Sequence, residues 1–424
     1  TPAQIIQTAG KTNGNESNQL SIGMKLSDNL ESGNYTNKLI LSFVSNPYTM
    51  RAMMTNGPDF NTRVGNLDPN PAYYSGPDSP LTKPSIKGFK RSTVAPVSSV
   101  STINIEDPDL SDYEIKAWYN AADQSVYYYA PVAVTYLNPN SRGMFQWFTK
   151  IESLDFSNID TSEVNKMHAM FYWMQNLKTI NFGNFNTSNV TDMTAMFGCT
   201  FSLTELDLSS FDTSSVTQMS YMFHGTYVQK LDLSNFNTSN VINMYSMFEA
   251  TSRLKEIKFG DNFNTEKVTN MGRMFTNTPV LVGLNLSKFN TKNVTNMAHM
   301  FGGMNAIENL SLTSFDTSNV TTMNGMFSSM LSLKILDIST FNTQNVTDMG
   351  YIFAINNYES DNLTTIYASD RFTTNNVVAS QGIFNYRKRL RGGNGSFLTD
   401  PNTADLTWLR VDRPGVQGYF TRKS

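Results

Sequence analysis

A dipeptide that returns on a fixed period constrains this chain more than any other feature. Met-Phe stands at Met144-Phe145, Met170-Phe171, Met196-Phe197, Met222-Phe223, Met247-Phe248, Met274-Phe275, Met300-Phe301 and Met326-Phe327, then as Ile352-Phe353 and, less regularly, Ile383-Phe384. The spacing is about 26 residues, a period at which repeat arrays form rather than separate globular cores. A valine and a methionine precede each pair, as in Val190, Met193, Met196, Phe197 and in Val216, Met219, Met222, Phe223. Offsets of three, six and seven predict a short helix or 3-10 turn with all four side chains on one face.

The other half of the repeat reads Leu206-Asp207-Leu208-Ser209 before Phe211-Asp212-Thr213, and again Leu231-Asp232-Leu233-Ser234 before Phe236-Asn237-Thr238. Leu-x-Leu predicts a short strand with both leucines inward. An Asn or Asp ahead of Thr offers a side-chain oxygen to start the next turn. A lone repeat buries too little apolar surface to offset the entropy of ordering its backbone, so the repeats must stack. The fold expected is an α/β repeat solenoid of the leucine-rich-repeat type, with short parallel strands and helical or 3-10 turns, over residues 144–384.

The flanks read differently. In residues 1–46, Leu20, Ile22, Met24 and Leu26 alternate, and after a turn Tyr35, Leu39, Leu41 and Phe43 alternate again. This predicts a hairpin that resembles the last strands of an immunoglobulin-like domain and is available, over residues 20–44, to pair with a neighbouring chain. Residues 47–85, rich in Pro, Gly, Asn and Asp, read as a linker. Residues 86–143 carry strand-like alternation at Tyr113, Ile115, Ala117 and Tyr119, and again at Val126-Tyr127-Tyr128-Tyr129 and Val132-Ala133-Val134. They are expected to form a β-rich N-terminal cap, and residues 385–424, where Gly392-Gly393-Asn394-Gly395 breaks the period, a C-terminal one.

Composition narrows the function. Charged residues make up 16% and the net charge is -3, which lacks the basic footprint that a phosphate backbone requires and argues against nucleic acid as a partner. No apolar run approaches a membrane span, and Thr1-Pro2-Ala3-Gln4 is not the start of a signal peptide. The single cysteine, Cys199, sits beside a buried repeat position and reads as an inert thiol. The histidines His168, His224 and His299 fall in different columns of the repeat, so a metal site is not expected. No nucleophile–base set or phosphate-binding glycine loop is visible, so neither catalysis nor a cofactor is expected.

Candidate binding residues lie between the core positions. After the inward leucine comes a column of Asp155, Asn181, Asp207, Asp232, Lys258, Asn285, Ser311 and Asp337, with Ser153, Thr179, Glu205 and Lys230 two residues before its first four members. Strand alternation turns both columns away from the core, where they would tile one exposed sheet. Tyr172 and Trp173, with Tyr221, Tyr245 and Tyr351, are candidate aromatic anchors for sugars or proteins. Arg387-Lys388-Arg389 and Arg391 form a basic run that could meet acidic glycans or lipid, or simply be solvated. A second column, Thr187, Thr213, Thr238, Thr265, Thr291, Thr317 and Thr343, would stack as a ladder, but beside turns rather than on the flat Thr-x-Thr strand of an ice-binding face. Asn-x-Ser/Thr sequons recur, which favours a bacterial source over a eukaryotic secretory route.

These motifs resemble those of BspA-like leucine-rich-repeat surface proteins of bacteria. The likeness rests on Phe185-Asn186-Thr187-Ser188-Asn189-Val190-Thr191 through Met196-Phe197 and its copies, on the lead-in Tyr136-Leu137-Asn138-Pro139-Asn140-Ser141, and on the ending Gly418-Tyr419-Phe420-Thr421. It covers roughly residues 110–424. The resemblance implies an extracellular or cell-surface binding protein, adhesin-like, that recognises a host or cell-surface protein or glycan. The competing expectation, from the rod shape and the hairpin, is a structural spacer or a fibre subunit of a surface assembly.

Overall fold

The chain divides into two units, Thr1–Met50 and Arg51–Ser424. The structure is a computed structural model and describes residues 49–69, 77–78 and 84–423. The hairpin expected over residues 20–44, and with it the pairing to a neighbouring chain, lies outside the described residues.

Part of the segment expected as a linker is ordered structure. Strand β1 (Ala52–Met53) is followed by helix α1 (Gly57–Gly65), whose N-cap Asn56 accepts from the Asp59 N–H at 3.2 Å and whose first turn holds Pro58. Prolines and asparagines read as loop here, but Asn-Gly-Pro is also a helix start, because a cap and a Pro in the first turn satisfy the same geometry. The helix buries Phe60 and Val64. Its Asn61 amide donates to the carbonyls of Gly143 (3.0 Å), Met144 (3.2 Å) and Gln146 (2.9 Å), pinning α1 to the first repeat.

Next come β2 (Gly88–Arg91), β3 (Ile103–Asn104), β4 (Lys116–Asn120) and β5 (Ser125–Tyr129), in one sheet ordered β2-β5-β4-β3 with β2 parallel to β5 and the other pairs antiparallel. Phe60 and Phe89 both meet Phe145 edge-on, with centroids 5.4 Å and 5.6 Å away. Residues 132–134, expected as strand, form none: Val132 and Ala133 bend, and the next strand, β6 (Thr135–Tyr136), pairs with β1.

The repeats follow, with strands β7 (Ser153–Asp155), β8 (Ile159–Asp160), β9 (Thr179–Asn181), β10 (Lys230–Leu233), β11 (Glu256–Phe259), β12 (Ile335–Asp337) and β13 (Thr365–Ala368), and β14 (Phe420–Arg422) after them. They form small parallel sheets, β7-β9, β10-β11 and β12-β13-β14, and β8 joins β6. The single exposed sheet expected from the sequence is therefore interrupted: residues 204–208, 282–286 and 308–312 are not in strands. The unbroken ladder lies elsewhere, just ahead of the inward methionines, through the parallel bridges Asn140, Lys166, Asp192, Gln218, Asn243, Asn270, Asn296, Thr322, Asp348 and Ala379.

The Val-x-x-Met-x-x-Met-Phe segment is where the sequence reading needs its main correction. Val190, Met193, Met196 and Phe197 are all fully buried, as expected. They reach the core through consecutive turns, with no helix or 3-10 helix in any repeat. In the repeat before, Met170 N–H bonds Met167 C=O (3.1 Å) and Tyr172 N–H bonds Ala169 C=O (3.1 Å). Alternate N–H groups reach the next repeat instead: Ala169 to Thr194 (2.8 Å), Phe171 to Met196 (3.0 Å), Trp173 to Gly198 (2.8 Å). A helix aims every N–H along its own axis and could not make these lateral bonds. The reversal is achieved by positive φ at Ala169 (55°) and Trp173 (62°), repeated at Ala195 (53°) and Cys199 (58°) and in the repeats beyond, the condition for a turn of type II at its third position.

Candidate functional site

The outward column occupies the surface. Asp155, Asn181, Asp207, Asp232, Lys258, Asn285 and Ser311 are exposed and Asp337 is half-buried. Adjacent rows pair, the Asn181 amide donating to Asp155 at 2.9 Å and Lys258 meeting Asp232 at 3.1 Å, while Lys423, just after the C-terminal strand, reaches past the intervening row to Asp337. Each acidic or amide member also accepts from a backbone N–H two residues on, as Asp207 does from Ser209 (2.9 Å) and Asn285 from Ser287 (3.0 Å). The column therefore shapes a turn before it meets any ligand. Ser209, through its hydroxyl and then its N–H, holds the Asp207 carboxyl below the usual range. Ser234, with Lys258, lowers Asp232 to about 2. Burial pushes Asp337 up, and Lys423 and Ser339 outweigh it, so that it too is lowered.

One stretch of this face opens into a shallow groove of about 730 Å³. Its lining includes Lys178, Thr179, Phe201, Glu205, Asp207 and Arg253. The groove lies where the strand pattern lapses: β9 pairs only with β7 and β10 only with β11, and the row between them is tied laterally by Gln229 N–H to Thr204 C=O at 3.1 Å. Two predicted column members, Asp207 and Glu205, thus share a site with Thr179, whereas Asp155, Asp232, Lys258, Asn285 and Asp337 lie outside it.

A ribbon of rings leads into the groove. Trp147 and Trp173 are 5.0 Å apart, Trp173 and Phe201 5.9 Å, and Phe201 and Tyr227 5.5 Å. The Arg253 guanidinium caps the ribbon 4.3 Å above Tyr227. Of the predicted pair, Trp173 belongs to this ribbon and half-buried Tyr172 packs against it, edge-on to Trp147 at 5.9 Å and to Trp173 at 5.8 Å. Burial pushes the Tyr172 hydroxyl up to about 12, with Cys199 adding to the effect. A Cβ on Gly198 would stand 2.8 Å from the Tyr172 ring, so glycine is what admits it. Tyr221 and Tyr245 are edge-on to each other at 5.4 Å, away from the groove.

The remaining candidates have different roles. Cys199 is buried and its thiol is pushed up to about 11 by burial, which keeps it protonated. Burial lowers all three histidines. His168 lies 3.8 Å from Asp192 and His224 3.7 Å from Glu249. Among the described residues no three His, Cys, Asp or Glu side chains group as metal ligands would. The basic run at residues 387–391 is not one surface patch: Arg387 is buried against Asp361, at 3.1 Å, while Lys388 stacks on Tyr358 at 3.8 Å.

Phe201, Tyr227, Arg253 and Trp147 were not singled out by sequence reasoning. A signal exists for the two rings Phe201 and Tyr227. Four residues past the core phenylalanine they stand where other repeats carry Thr149, Gln175, Ser252, Pro279, Asn305 and Leu331. Local departure from the period, rather than the period itself, marks the place. Among the described residues no helix is long and apolar enough to cross a membrane.

A model of a family described as Mycoplasma protein of unknown function, DUF285, matches residues 140–259, 255–366 and 303–400. No curated protein and no solved structure matches the chain. The matched spans overlap and together run from residue 140 to 400, more than half of the 424 residues and the whole of the periodic region through Ile383-Phe384 after its first asparagine bridge. The chain therefore belongs to the DUF285 family of repeat proteins.

Proposed function

We propose that this chain is an extracellular or cell-surface binding protein, adhesin-like, built as a leucine-rich-repeat-type solenoid similar to that of BspA-like surface proteins and without catalytic activity. The observation that carries the reading is the groove at Thr179, Phe201 and Asp207, where the ring of Phe201 stands at the place of Pro279, Asn305 and Leu331 in later repeats while the core residues keep to the period. A stacked array holds such a surface rigid at no extra ordering cost, which is what a recognition site needs. The lowered carboxyls of Asp207 and Asp232 favour the same view. They are fixed, ionised acceptors held by their own turns, and a proton-transfer group needs a pKa near the working pH.

The test is a combined array of glycans and extracellular-matrix proteins, probed with the folded protein. Saturable binding to one class is expected. Silence across the array, with an unchanged melting curve, would remove the reading.

A further inference from the structure

We infer that the groove between Thr179–Asn181 and Thr204–Asp207 binds a neutral oligosaccharide, with a sugar ring stacked on Phe201 and its hydroxyls held by Glu205, Asp207 and Arg253. This rests on the binding-protein reading and narrows it to one ligand class and one place.

Charge balance comes first. Lys178 and Arg253 line the groove together with Glu205 and Asp207, two cations with two anions, so a phosphorylated or sulfated ligand gains no net field there. Lys178 is further engaged by Glu152 at 2.7 Å. What remains is a set of hydrogen-bonding groups of both kinds, fixed in place. Asp207 commits one carboxylate oxygen to Ser209 N–H at 2.9 Å, and its other oxygen can still accept. The Arg253 guanidinium carbon stands 4.3 Å from the Tyr227 ring centroid, a cation–π contact that restrains the group while its N–H groups can still donate. Glu205 is exposed and lines the groove.

A sugar ring presents the complement of this arrangement. One face is apolar C–H, suited to an aromatic ring such as Phe201, and the rim is hydroxyls that each donate and accept. Paired hydroxyls suit the free edges of a carboxylate and a guanidinium. The interrupted pairing of the Thr204–Asp207 row also leaves peptide groups next to the groove that are not taken up by a sheet. The groove is shallow and open, which suits a chain of rings more than one enclosed monosaccharide. The ribbon of Trp147, Trp173, Phe201 and Tyr227 extends the aromatic surface across successive repeats.

Calorimetric titration with cellohexaose, chitohexaose, maltohexaose and laminarihexaose, beside sialyllactose and a heparin hexasaccharide, tests this. At least one neutral hexasaccharide should bind saturably. Glu205→Gln and Arg253→Ala should each weaken it about tenfold or more, Phe201→Ala should abolish it and Phe201→Trp retain it, and Lys288→Ala, away from the groove, should leave it unchanged. Thermal melts of each variant separate lost contact from lost fold. Absence of binding by every neutral hexasaccharide overturns the assignment, as does binding indifferent to Glu205→Gln and Arg253→Ala. If only the charged glycans bind, or if the combined array finds only a matrix protein, the saccharide site falls and the wider binding reading stands; if both the titration and the array are silent, both fall.

Discussion

The Thr213 hydroxyl makes two bonds to one neighbour. It donates to Asn237 C=O at 2.9 Å and accepts from Asn237 N–H at 2.9 Å, in a residue almost wholly shielded from water. Thr187 does the same to Asp212, Thr265 to Asn290, Thr291 to Asp316 and Thr317 to Asn342. The threonine ladder legible in the sequence is therefore internal, and it ties each repeat to the next without facing solvent. Thr213→Val keeps the shape and removes the partner of the half-buried Asn237 N–H and carbonyl, which should cost about 1–3 kcal/mol. Thr213→Ser should recover most of this in urea unfolding; equal loss in both variants would assign the effect to packing instead.

Elements at the two ends close the array with polar side chains that the sequence does not mark. Helix α1 uses Asn61 on the first repeat, and the last repeats use Arg387. That guanidinium is buried with Asp361, donating to it at 3.1 Å and to Phe353 C=O at 2.6 Å, while Asp361 also accepts from Arg389 N–H at 2.6 Å. Arg387 stands in a run that reads as solvated surface because its neighbours Lys388 and Arg389 are charged too. Only the fold distinguishes the one that is enclosed. Arg387→Met leaves the Asp361 carboxylate buried and unpaired, at about 3–5 kcal/mol. Hydrogen exchange should rise over residues 353–423 and stay unchanged at Ser153–Asn181, because repeats couple mainly to their neighbours. The double variant Arg387→Met/Asp361→Leu should restore protection. If it does not, the pair matters for more than mutual neutralisation.

Across the whole molecule a column of rings runs the length of the repeats. Phe197, Phe223, Phe248 and Phe275 stack at 5.9, 5.7 and 5.4 Å, nearly parallel, and the series continues through Phe301, Phe327 and Phe353 to Phe384. Phe223→Ala should cost about 3–5 kcal/mol and lower the unfolding midpoint of both flanking repeats, read by denaturant titration with site-specific probes. A melt like the parent's would mean the column does not carry the array. By itself the sequence determined which side chains go inside, because a fixed period places the same residue types at the same depth in every row. It also determined where the outward column stands, because alternation about Leu-x-Leu needs only local geometry. Tertiary structure alone decided that the methionine segments are turns, since the N–H groups that a helix would use are taken by the next repeat. It alone decided where the sheet lapses and the groove opens as well, because that depends on the register of Thr204–Asp207 against rows distant in sequence.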